Sequence, residues 1–113
     1  MEQFDAVEAL AALAQENRLD VYRLLVEAGP EGMPAGEVAA ALELPPNTLT
    51  FHFDRLRHAA LVTVRRQGRS MIYAARFDTM NDLIGYLSDN CCRGDAERCR
   101  PKRRARKAAR AAS

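Results

Sequence analysis

Helical spacing in four successive segments, a two-stranded alternation broken at Gln67-Gly68-Arg69, and one further helical stripe predict an α+β, mainly α domain. The class is a winged helix-turn-helix of four helices, a two-stranded wing hairpin and a C-terminal helix. Charge is the second observation. Residues 1–54 carry two arginines against ten acids, whereas residues 55–76 carry six arginines and no acid. Size is the third: 113 residues suffice for one core and not for two. The expected organisation is a folded domain over residues 1–100 and a basic tail over 101–113.

The first helix is expected over 4–14, where Phe4, Val7, Leu10, Ala11 and Ala14 recur at spacings of three and four. A second runs from about Asn17, its cap, to Glu27, with Leu19, Tyr22, Leu25 and Val26 on one side. Gly29-Pro30-Glu31-Gly32 breaks the chain. A third helix over 35–42 turns Val38, Ala39 and Leu42 inward. Leu44-Pro45-Pro46 ends it, and Pro46 suits the first turn of a fourth helix over 47–59 anchored by Leu49, Phe53 and Leu56. Val62 and Val64 alternate with Thr63 and Arg65 in a strand, and Ser70 to Arg76 returns beside it. The last helix is expected over 79–89, capped by Asp78, with Met80, Leu83, Ile84 and Leu87 on one stripe. Residues 101–113 hold six basic residues, no acid and too little hydrophobicity to pack, and are expected to stay disordered.

Helix, short turn, helix and then a basic hairpin is a plan for reading duplex DNA. Short polar groups on the fourth helix, Asn47, Thr48 and Thr50, suit base edges or phosphates. Phe51 shares their surface, and His52 and Arg55 reach further. Arg65, Arg66 and Arg69 on the wing suit phosphate or the minor groove, which orients a protein more than it specifies sequence. His58, near the helix end, is expected to cap or pack locally.

All three cysteines, Cys91, Cys92 and Cys99, fall within nine residues in a polar segment. Thiols that serve as small core hydrophobes scatter along buried faces instead. No stretch approaches the ~18 consecutive apolar residues of a membrane helix, and Glu2, Asp5 and Glu8 do not make a signal peptide. A cytoplasmic protein is therefore expected, where clustered thiols serve metal or redox chemistry. No Ser/His/Asp, phosphate-loop or paired-carboxylate pattern appears, so an enzyme is not expected.

Ala12-Leu13-Ala14-Gln15-Glu16-Asn17-Arg18-Leu19 resembles the opening of the second helix in ArsR/SmtB-type metalloregulatory repressors. Pro46 to Leu56 resembles their recognition helix, with Pro45 where the family has a serine. Leu61-Val62 and Arg65 to Arg69 resemble their wing. The likeness covers about residues 5–100. It implies a homodimer joined by the first and last helices, bound to an inverted-repeat operator and released by a metal or metalloid. The family's Cys-x-Cys site on the third helix falls on Pro34 and Gly36, and residues 77–90 hold no histidine for its zinc site. Cys91, Cys92 and Cys99 are similar to the C-terminal site of arsenite-responsive members. The resemblance thus implies trivalent arsenic as inducer, with antimony as the related ligand.

Soft thiolates select soft centres, and trivalent arsenic takes three sulfurs in a pyramid. Zinc prefers four ligands, and no fourth lies nearby. Gly94 lets the chain fold back towards Cys99, and Arg93, Arg98 and Arg100 favour the thiolate forms. Two alternatives stay open: a two-sulfur site for a methylated arsenical, and a redox switch joining Cys99 to Cys91 or Cys92.

Overall fold

A computed structural model describes residues 1–95 and residue 97. The expected tail over 101–113 and the expectation for Cys99 lie outside the described residues. The element order is α1 (Gln3–Leu13), α2 (Glu16–Ala28), β1 (Met33–Pro34), α3 (Ala35–Leu42), α4 (Pro46–His58), β2 (Val62–Gln67), β3 (Ser70–Ala75) and α5 (Phe77–Ser88), followed by a short 3-10 turn over Cys91–Gly94. This is the mainly α winged helix-turn-helix expected, with one addition. The two-residue strand β1 joins the hairpin, giving an antiparallel sheet of order β1-β3-β2. Met33 stands opposite Tyr73 and Pro34 opposite Ile72. Two residues are too few for an alternation to be seen in sequence, so only the pairing reveals this strand.

Two expected caps are displaced. Gln15, not Asn17, precedes α2, and its Oε1 accepts the Arg18 amide at 2.9 Å. Asp78 lies inside the first turn of α5, and Arg76 occupies the capping position. The Asp78 carboxylate instead takes the Arg76 guanidinium at 2.8 Å, and that hydrogen bond holds its pKa below the ordinary carboxylate value. The turn between α3 and α4 is Glu43-Leu44-Pro45. It reverses on a left-handed Glu43 (φ +54°), while the Leu44 amide reaches back to Ala39 O at 3.1 Å. Pro46 opens α4 at a position whose amide needs no partner.

The core is built by α2, α3, α4 and the sheet. Val21, Leu25, Val38, Leu49, Phe53, Leu56, Leu61 and Val62 are buried, and α1 packs on them through Ala6, Ala9 and Ala12. These small side chains let α1 sit close. The larger Phe4, Val7 and Leu10, read from the sequence as one apolar helix face, are exposed. Leu19 is exposed as well, its expected place taken by Val21. On α5, Leu83 and Thr79 are buried, but Ile84 and Leu87 of the expected stripe are not.

Gly32 fixes how the α2–β1 loop meets the sheet. Its φ is +75°, and a Cβ there would collide with the carbonyl of Tyr73 on β3. Gly32→Ala is therefore expected to cost about 1–3 kcal/mol, from left-handed strain and a displaced strand pair. A shifted urea midpoint with unchanged slope would register it.

Candidate nucleic-acid interface and thiol segment

Helix α4 buries one stripe, Leu49, His52, Phe53 and Leu56, at spacings of three and four. The opposite side carries Asn47, Phe51, Asp54 and Arg55, all exposed, with Thr50 exposed at its edge and Thr48 half-buried. The Asn47 side-chain oxygen accepts the Thr48 amide at 3.0 Å, leaving its NH2 donors for another partner. The Thr50 hydroxyl donates to Pro46 O at 2.9 Å and keeps its acceptor lone pairs. The first turn of α4 therefore offers both donors and acceptors over a short stretch.

His52 does not belong to this surface, contrary to the sequence expectation. It stands three residues after Leu49, which puts it on the inward stripe, and it is only 6% exposed. Among the described residues neither ring nitrogen has a hydrogen-bond partner. Burial lowers its pKa from the ordinary histidine value, and the charge of Arg18 lowers it further. The folded state thus favours the neutral ring, whereas the unfolded chain takes up a proton at about pH 6.5. Below that value the unfolded state binds the extra proton, so stability falls as pH falls. His52→Leu is expected to flatten the stability profile between about pH 7 and pH 5, measured as urea midpoints at each pH.

His58 behaves as expected: its Nδ1 lies 2.7 Å from Asp54 O, one turn back. Phe51 is 59% exposed, and its ring sits 6.0 Å from that of His52 at 61°. It also borders a groove of about 400 Å³ between α1 and α4, with Glu8, Ala11, Asp54, Arg55 and His58.

On the wing, Arg65, Arg66 and Arg69 are all exposed, as expected. Strand geometry separates the first two, because neighbours on a strand point to opposite faces. Arg65 is tied back: its guanidinium donates to Glu31 O at 3.0 Å and to Gln67 Oε1 at 3.4 Å. Arg66 folds over the turn, donating to Gly68 O at 3.2 Å. Both guanidiniums are thus engaged by backbone carbonyls, while Arg69 stands in the turn itself. Glu31 was not legible as part of this arrangement, since it meets Arg65 from 34 residues away and leaves no local pattern.

The thiol segment starts directly beyond α5. Asn90, Cys92, Arg93 and Gly94 all have left-handed backbones, with φ of +58°, +52°, +57° and +86°. The chain thus curls sharply after the helix, Gly94 included. Cys91 is half-buried and disulfide-bonded, while Cys92 is an exposed free thiol. Among the described residues no group of three or more His, Cys, Asp or Glu side chains is arranged to hold a metal ion. Nor is any helix there long and apolar enough to cross a membrane.

Residues 13–65 match a family model described as a helix-turn-helix domain. The chain is 34% identical over 77 residues to YceK of Bacillus subtilis (strain 168), an uncharacterised HTH-type transcriptional regulator. That match spans 67% of this chain and 76% of YceK. Among solved structures, an ArsR-like transcriptional regulator from Rhodococcus sp. RHA1 superposes with a TM-score of 0.68 at 23% identity, covering 84% of this chain and 87% of that one. The homodimeric winged helix-turn-helix domain Mb0332 of Mycobacterium bovis, described as a possible ArsR-family regulator, gives 0.62 at 21% identity over 76% and 80%.

Proposed function

The chain belongs to the HTH-type transcriptional regulators, which bind DNA and are not enzymes, and from that premise we propose that it is an ArsR-type homodimeric repressor induced by trivalent arsenic. In this reading Asn47, Thr48, Thr50, Phe51 and Arg55 face the major groove of an inverted-repeat operator, and Arg66 and Arg69 hold the flanking phosphates. Trivalent arsenic, or antimony, binds Cys91, Cys92 and Cys99 and lowers operator affinity. The observation that carries it is the position of the vicinal pair. Cys91 and Cys92 begin three residues past Ser88, the last residue of α5, and α5 leaves Ile84 and Leu87 exposed. Together with Phe4, Val7 and Leu10 of α1, these residues make an apolar surface suited to a second copy. A ligand that reshapes the end of α5 then acts beside the joint that sets the spacing of the two recognition helices.

The chemistry balances simply. Arsenous acid and three thiols exchange three As–O bonds for three As–S bonds and release three waters. Because a disulfide removes a donor, the site requires Cys91 in its reduced form. Coupling of a few kcal/mol suffices, since ~1.4 kcal/mol changes occupancy tenfold. Anisotropy titration on a labelled duplex selected by the reduced protein tests the reading. Arsenite is expected to weaken binding at least tenfold, and a triple Cys→Ser protein is expected to hold DNA without responding. Equal affinity with and without arsenite would sink it.

The disulfide at Cys91 favours a second reading, in which oxidation is itself the signal. Two thiols would pass two electrons and two protons to a peroxide or a disulfide oxidant. In the same titration, glutathione disulfide would then release the duplex, dithiothreitol would restore it, and arsenite would do nothing.

A further inference from the structure

Phe51 is exposed and, among the described residues, takes no part in the buried core. A single exposed apolar side chain is ordinary on a protein surface, so its place has to carry the argument. Phe51 lies in the first half of α4, one turn beyond Asn47, on the side away from Leu49, Phe53 and Leu56. Its neighbours there are polar groups suited to hydrogen bonding with base edges. Its ring cannot make such bonds. Its ring lies edge-on to that of the adjacent His52, at 61° and 6.0 Å. Across the major groove, the one apolar group a base pair presents is the C5-methyl of thymine.

We infer that Phe51 is a specificity-determining residue that packs against a thymine methyl in each operator half-site. The inference rests on the operator-binding reading and adds which base the aromatic position selects. The groove beside Phe51 is bordered by Glu8 and Asp54 but also by Arg55 and His58, so the ring is a large apolar side chain among charged and polar neighbours.

The test replaces each thymine of the selected duplex in turn with deoxyuridine, which differs only in lacking the methyl. One methyl buried against a ring is worth about a fourfold change in affinity per half-site, and about sixteenfold when both are changed. The native protein is expected to show that loss at one symmetry-related pair of thymines. Phe51→Ala, a surface change that leaves the core intact, is expected to bind thymine and deoxyuridine duplexes equally. Phe51→Leu is expected to retain part of the preference, and Arg66→Ala all of it with a weaker overall grip. A native protein indifferent to deoxyuridine at every position, or a Phe51→Ala protein that keeps the native preference, overturns the assignment while leaving operator binding standing. A native protein that binds no duplex above background overturns the operator reading and this inference together.

Discussion

Phe53→Ala is expected to destabilise the domain by about 3–5 kcal/mol, enough to unfold much of a protein this small at growth temperature. Phe53 is 1% exposed, and its ring stacks on Tyr73 with centroids 3.6 Å apart and planes 6° from parallel. That stack joins the middle of α4 to the central strand β3. The same strand pairs with β1 on one side and with the wing strand β2 on the other. Truncation would therefore leave a ring-sized void where helix, sheet and wing meet. Phe53→Leu, which keeps most of the apolar volume, is expected to cost distinctly less. Urea unfolding followed by far-UV circular dichroism separates the two. A Phe53→Ala midpoint within error of the native one would mean that this junction does not hold the domain together.

In the proposed homodimer, Leu87→Glu is expected to weaken self-association by about a hundredfold or more while leaving the protomer folded. Leu87 is 59% exposed on α5, and Phe4 is 73% exposed on α1. Within one chain these side chains touch little, so a charge at position 87 removes nothing from the core. In a two-fold dimer every substitution counts twice, and burial of one leucine contributes about 1.5–3 kcal/mol. Sedimentation equilibrium should then find monomers at micromolar concentration, and operator affinity should collapse, because an inverted repeat needs both recognition helices held at fixed separation. A Leu87→Glu protein that remains dimeric would place the joint elsewhere.

Much of this architecture follows from patterns that are local in the chain. The boundaries of α3, the proline start of α4 and the wing strands were legible because spacing, breakers and turns act over a few residues. The basic wing was legible for the same reason, since charge needs no fold to be counted. His52 was misplaced although its signal was present: it stands three residues after Leu49, on the stripe already assigned to the core. The caps of α2 and α5 were misread because several adjacent polar residues compete for one position, and geometry chooses among them.

The sequence by itself determined the order of elements, the placement of arginines after an acid-rich half, and the gathering of every thiol behind the last helix. Each depends only on near neighbours along the chain. Tertiary structure alone decided that α1 packs through alanines and turns its larger side chains outward. It also decided that a two-residue strand closes the sheet and that Arg65 is held by Glu31. Those outcomes depend on which distant surfaces meet, and burial and pairing across the fold select them rather than any property of the residues taken in order.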